Sequence, residues 1–149
     1  MQTFLPYKDF ERSAQVLDWR RLGKQRVETL QIVNALMHES VGWQNHPATL
    51  MWKGHEYQLC RYGLFMCKEW KARGYDPGVT QPKLMKWYKA IKAHPDNTRD
   101  MPWWVGKKRF HQAHRQMLVW KAPGHYLGKF PDVTEVPAVK PEYWWPEAF

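Results

Sequence analysis

The sequence predicts an all-α fold: a single compact helical domain of about four to five helices over residues 1–130, followed by an extended Pro/Trp-rich arm over 131–149. Three observations predict it. Apolar residues recur with a 3.6-residue period in each long segment of the first part. Alternating strand patterns are almost absent. Four of the eleven prolines, Pro131, Pro137, Pro141 and Pro146, crowd the last part and leave only short segments between them.

The elements follow in order. Met1 to Tyr7 reads as an extended start. The polar stretch Asp9 to Ser13 introduces a helical pattern running to about Glu39, with a break expected at Gly23 and with Val27, Leu30, Val33 and Met37 supplying the period. Ser40 to Pro47 connects to a short helix, Ala48 to Lys53, with Pro47 suited to its first turn. Gly54 interrupts the pattern. A second long helix, Glu56 to Arg73, carries Cys60, Gly63, Leu64, Cys67 and Trp70 on one face, and Gly74 stops it. The turn signals Asp76-Pro77-Gly78 and Gln81-Pro82 precede an amphipathic helix from Lys83 to Ala93 with Leu84, Trp87, Tyr88 and Ile91. A polar loop, His94 to Gly106, leads to a last helix, Lys107 to Lys121, that turns Phe110, Ala113, Met117 and Trp120 inward, with Pro123-Gly124 as its terminator. In the arm, Tyr143, Trp144, Trp145 and Phe149 are too apolar to stand free in water together, so the arm is expected to dock on the body or on a partner.

Composition narrows the function. The 149 residues are 44% hydrophobic and 25% charged, ordinary for one globular core, but 23 Lys and Arg against 14 Asp and Glu give +9. The arm holds four acids (Asp132, Glu135, Glu142, Glu147) and Lys140 alone among the bases, which leaves 22 bases against 10 acids before it. A body this cationic attracts polyanions, and ten Trp, seven Tyr and six Phe interleaved with the cations favour nucleic acid, since flat rings stack on bases. Cys60 and Cys67 are seven apart on one helix, about 10 Å along its axis, too far to bridge, and read as reduced buried thiols. No run of about 18 apolar residues suggests a membrane span, and no secretory signal is evident, so a cytoplasmic protein without membrane attachment is expected.

The segment Asp18 to Glu28 concentrates charge. At about 100° per residue, Arg21, Lys24 and Glu28 share one face, while Leu22, Leu30, Val33 and Met37 seek the core. Arg26 falls inside the apolar stripe. A guanidinium cannot shed its proton, so Arg26 must find Asp18 or Glu28, backbone carbonyls, or an anion brought by a ligand. His111 and His114 lie one turn apart beside Arg115; no Cys or carboxylate joins them at metal spacing, so phosphate binding or helix packing is favoured over zinc. His46, Trp52 and His55, and the stretch Lys121 to Tyr126 with His125, are loop or helix-start positions where phosphates could be met. No Gly-rich phosphate loop, nucleophile elbow or dinucleotide fingerprint is present, and neither metal nor cofactor is expected.

The order of the extended start beginning Met1-Gln2-Thr3-Phe4-Leu5-Pro6-Tyr7, the basic segment around Arg20 to Arg26, the block His46-Pro47-Ala48 to Gly54-His55, the helix ending Trp70-Lys71-Ala72-Arg73-Gly74-Tyr75, then His111 to Arg115 and Gly124-His125-Tyr126, resembles the pyrimidine-dimer DNA glycosylase family, also called phage-type endonuclease V. The resemblance covers roughly residues 1 to 130. It implies a compact helical protein that kinks the duplex, extrudes a nucleotide, cuts the glycosidic bond with its N-terminal α-amine and breaks the strand through a Schiff base. An α-amine titrates near about 7.7–8.0 against about 10.4 for a lysine, so an appreciable fraction is nucleophilic at neutral pH. The family's catalytic glutamate lies in an Arg-Glu-Leu-Pro-Arg segment; the matching stretch here is Arg20-Arg21-Leu22-Gly23-Lys24, which puts Arg21 in that place.

The resemblance therefore implies Met1 as nucleophile and Glu28 or Asp18 as the assisting carboxylate, with Arg21 beside them. Arg20, Lys24, Gln25, Arg26, His46, Trp52, His55, His111, His114, Arg115, Lys121, His125 and Tyr126 are the expected DNA contacts. The expected partner is double-stranded DNA and the expected state a monomer. Two competing accounts are a DNA-binding module of this fold that has lost the chemistry, and an interaction protein that uses the aromatic arm.

Overall fold

The computed structural model describes residues 1–146; Glu147 and Phe149 of the arm lie outside the described residues. An extended start leads into α1 (Phe10–Val16), α2 (Trp19–Leu36), α3 (Pro47–Trp52), α4 (Glu56–Ala72), α5 (Thr80–Ala93), α6 (Lys108–Lys121) and α7 (Pro123–Tyr126), with no strand among the described residues. The long helices α2 and α4 form the closest pair, α5 packs across both, and α1 lies on α4. Trp52, Tyr62, Trp104, Phe110 and Tyr126 fill the space between these helices and α6 as fully buried rings.

Among the described residues seven helices stand where four to five were expected, for two local reasons. The first long pattern breaks at Leu17 and Asp18, both extended, and not at Gly23, which sits inside α2. A Cβ at Gly23 would stand 3.1 Å from the Trp70 ring, so this glycine permits a close helix approach. Pro123-Gly124 opens the four-residue α7 in place of merely ending α6, with Pro123 in the first turn, where its missing N–H costs nothing. For the same reason Pro82 lies within the first turn of α5, which starts at Thr80, three residues earlier than expected.

Gly63 marks the tightest crossing. A Cβ there would meet Thr29 Cγ2 at 2.6 Å and Leu84 Cδ1 at 3.0 Å. The Thr29 methyl cannot swing aside, because its hydroxyl donates to Gln25 O at 2.6 Å. Gly63→Ala gains about 1 kcal/mol of helix propensity and loses about 1–3 kcal/mol to overpacking. A net destabilisation of up to about 2 kcal/mol is expected, read as a lower urea midpoint at unchanged slope.

The arm docks on the body. Tyr143 packs edge-on against Phe4 and His114, Trp144 against Trp103 and Phe110, and Trp145 against His46. Cys60 and Cys67 are free and buried, and burial pushes their thiols up to about 12 and about 11, with Glu56 adding to the first and Arg26 opposing the second. Among the described residues no helix is long and apolar enough to cross a membrane.

Candidate active site

The extended start has no β partner, so each backbone N–H and C=O it buries must be met by a side chain. Gln2 N–H donates to Glu28 Oε2 (3.2 Å), Thr3 N–H to Gln2 Oε1 (2.9 Å), Phe4 N–H to Gln25 Oε1 (2.7 Å) and Leu5 N–H to His114 Nδ1 (2.8 Å). From the other side, His111 Nδ1–H donates to Leu5 O (2.7 Å) and Arg115 Nη1 to Pro6 O (2.7 Å). The Tyr62 hydroxyl lies 2.8 Å from Phe4 O and 2.7 Å from Gln25 Oε1 and serves both acceptors with one proton. Side chains from α2, α4 and α6 thus hold the first residues in one place.

That clamp delivers Met1 to a cavity of about 750 Å³. Its walls are the chain start (Met1, Gln2, Phe4), the N-terminal half of α2 (Asp18, Trp19, Arg20, Arg21, Lys24, Gln25, Glu28), the end of α6 with α7 (Lys121, Ala122, His125), and Lys140 and Tyr143 of the arm. The face expected to carry Arg21, Lys24 and Glu28 is the face that lines it.

Its two carboxylates are held differently. Asp18 accepts from the Tyr126 hydroxyl and pairs with Arg21 at 3.2 Å, while its own N–H donates to Tyr126 Oη at 2.8 Å. Burial alone would raise the Asp18 carboxyl; the Tyr126 hydrogen bond and the Arg21 charge outweigh it and bring it below the usual range. Burial and then Asp18 push the Tyr126 phenol well up. Glu28 accepts only from Gln2 N–H and, at 3.4 Å, from Gln25 Nε2, which leaves its Oε1 without a protein partner among the described residues. Burial, and then the neighbouring cations Arg21, Lys140 and Lys24, lower the Lys121 ammonium, with Glu28 opposing.

Several expected contacts lie elsewhere. Trp52 is fully buried and donates from Nε1 to Thr3 Oγ1, so it belongs to the core. His111 and His114 are buried and each spends its Nδ1 on Leu5; His111 Nε2 accepts from Gly106 N–H, and His114 Nε2 has no partner among the described residues. Their positions on an inward face of α6 supply a backbone partner to the chain start, and no surface remains for a phosphate. Arg115 is bound to Asp132 through two nitrogens as well as to Pro6. Arg26, buried, meets the backbone carbonyl of Pro77 at 3.0 Å and lies over the Trp70 ring, outside the cavity. His55 is half-buried away from the cavity walls, and Tyr126 reaches the site only by holding Asp18. His46 caps α3 by accepting from Ala48 N–H; burial lowers its pKa first, then the positive charge of the chain's α-amine, so it stands within electrostatic reach of Met1. His125 lines the cavity and donates from Nε2 to Val16 O at 2.9 Å.

Gln2, Phe4, Trp19, Lys140 and Tyr143 line the cavity without having been expected there. Trp19 carried a signal, a large ring on the polar face beside Arg20, and it is 55% exposed. The two arm residues carried none, being more than a hundred residues from α2. Among the described residues no group of three or more His, Cys, Asp or Glu is placed to hold a metal.

Fold and site together define a helical protein whose own amino terminus is built into a cationic cleft beside a carboxylate. The sequence model of the family described as pyrimidine dimer DNA glycosylase matches residues 1–83, more than half of the chain, and the chain belongs to that family. The match spans the extended start and α1 to α4, and so includes Met1, Gln25 and Glu28. It makes the chain a member of a DNA repair glycosylase family, with DNA as the substrate class. No curated protein and no solved structure matches the chain.

Proposed function

We propose that the cleft removes a damaged or modified base from double-stranded DNA and then breaks the abasic strand, with Met1 as nucleophile and the protein acting as a monomer. The observation that carries this reading is the convergence of Met1 and Glu28 on one cavity edged by cations. The cavity's size falls in the range of about 300–1,000 Å³ typical of small-ligand sites, which suits a nucleotide extruded from the duplex. The α-amine attacks C1′ of the sugar and the glycosidic bond breaks, its electron pair leaving with the base. Opening of the C1′–O4′ bond gives the Schiff base. Loss of a C2′ proton then expels the 3′ phosphate.

Glu28 suits the electrostatic and proton-transfer role better than Asp18. A carboxylate beside the sugar stabilises developing positive charge and can take up the C2′ proton. Asp18 is occupied by Tyr126 and Arg21, whereas Glu28 keeps one oxygen unengaged and is fixed by the amide one residue after the nucleophile. Arg21, in the place of the family's glutamate, orients Asp18 at the cleft wall. Arg20, Lys24 and Lys121 line the same wall and supply phosphate contacts.

The test is incubation with duplexes carrying different base lesions or an abasic site, reduction with borohydride, and location of the adduct by mass spectrometry. A covalent adduct at Met1 is the expected result. Duplex bound with affinity but never trapped identifies a binding module without the chemistry, and an adduct on an internal lysine reassigns the nucleophile.

A further inference from the structure

The family match ends at residue 83, yet two residues of the arm stand in the cleft wall. We propose that the arm is a working part of the active cleft: Lys140 closes a phosphate-binding site with Lys24 and Lys121, and the Tyr143 hydroxyl donates a hydrogen bond to the nucleotide held there. The inference rests on the cleft being the DNA site proposed above.

The cation cluster points to an anion. Of the five Lys and Arg side chains around the cavity, Arg21 alone has an ion-pair partner; Arg20, Lys24, Lys121 and Lys140 have none among the described residues. Five side-chain cations against the two carboxylates Asp18 and Glu28 leave the cavity net positive, and a phosphate relieves the repulsion among the cations while releasing the counterions of the nucleic acid. The Lys140 ammonium lies 6.0 Å from the centre of the Trp120 ring at the end of α6.

Tyr143 is placed by its ring. Its ring meets His114 at 5.6 Å, Trp145 at 5.4 Å and Phe4 at 6.2 Å, all edge-on, so three contacts fix where the phenol lies. Its hydroxyl has no hydrogen-bond partner among the described residues, although the ring lines the cavity that holds Met1 and Glu28. Burial, and then the Glu28 charge, push the phenol well up, with Arg21 opposing. The group is therefore a donor that keeps its proton. Sugar oxygens, phosphate oxygens and base carbonyls are the acceptors a nucleotide offers it.

The experiment uses the full chain. Affinity for a duplex bearing a tetrahydrofuran abasic analogue is measured against salt, and borohydride trapping is timed on a duplex bearing a true abasic site. Lys140→Gln is expected to reduce the slope of log affinity against log salt by about 1, the value for one phosphate contact. Tyr143→Phe, which keeps the ring and its packing, is expected to slow trapping by roughly 3- to 10-fold with affinity changed less than about twofold and an unchanged melting temperature. An unaltered salt slope in Lys140→Gln overturns the phosphate site. Trapping by Tyr143→Phe at the wild-type rate overturns the role of the hydroxyl. A wild-type protein that binds but never traps refutes the glycosylase-lyase reading and the Tyr143 role with it; the salt slope then decides Lys140 by itself, because it requires binding alone.

Discussion

Glu28→Gln is expected to lower the rate of base release and of borohydride trapping by about 10²- to 10³-fold while leaving duplex affinity within a few-fold of wild type. The amide keeps an oxygen that can accept from Gln2 N–H, so the bond at 3.2 Å that seats the chain start survives the change. What is lost is the negative charge beside the sugar and the site for the departing proton. The split between rate and affinity is therefore the diagnostic: interactions made only in the transition state alter the rate and leave ground-state binding alone. Asp18→Asn supplies the contrast. Because Asp18 is engaged with Tyr126 and Arg21, its loss is expected to act on the α2 start and on stability more than on the chemical step. Single-turnover kinetics of the two variants, run beside a binding titration, check the assignment. Equal rate losses in both would deny Glu28 its special place.

Acid is expected to weaken the protein by about 2 kcal/mol between pH 6.5 and pH 5, and His114 is the cause. Burial, then the charges of His111 and Arg115, push its imidazole down to about 3. In the unfolded chain a histidine titrates near 6.5. Between those two values the unfolded state binds a proton that the folded state refuses, so stability is fully present above pH 6.5 and declines by about 1.4 kcal/mol per unit as the pH falls towards 3. His111 shifts in the same direction, lowered chiefly by burial, and adds to the slope. The neutral form is required for a structural reason, since Nδ1 of His114 accepts the Leu5 N–H and a protonated ring has no acceptor to offer. Urea midpoints at pH 7 and pH 5 measure the loss. His114→Gln, less stable at pH 7, is expected to show a shallower dependence, and a slope identical to wild type would remove His114 from the account. The same window should release the chain start from α6, visible as faster exchange of the Leu5 amide.

The helices were legible because each repeats its apolar residues at the helical period and buries most of that face, although in α2 Val27 stays exposed while Gln25 and Thr29 are buried to meet the chain start and α4; α4 was read to within a residue at its end, as was the start of α6. The cavity-lining face of α2 was legible as well. Arg21, Lys24 and Glu28 line the cavity because 100° per residue leaves them little choice once Leu22 and Val33 turn inward. The histidines stayed open between phosphate binding and helix packing for an equally physical reason. A polar pair at i and i+3 looks the same whether its partner is a phosphate in solvent or a buried backbone segment from the other end of the chain. Arg26 shows the same ambiguity: a carbonyl was among the partners it could take, but nothing in its neighbours named Pro77, fifty-one residues away.

By itself, then, the order of residues determined a cationic helical protein, the exposed charge of α2 and the aromatic content of the arm, all of which follow from local periodicity and composition. The tertiary structure alone decided which polar groups remain available to a substrate. An extended segment with no strand beside it must satisfy its backbone through side chains brought from afar, with 109 residues separating Leu5 from His114. That requirement consumes Gln25, His111 and His114 in holding the chain start, and it is what sets Met1 at the mouth of the cleft beside Glu28.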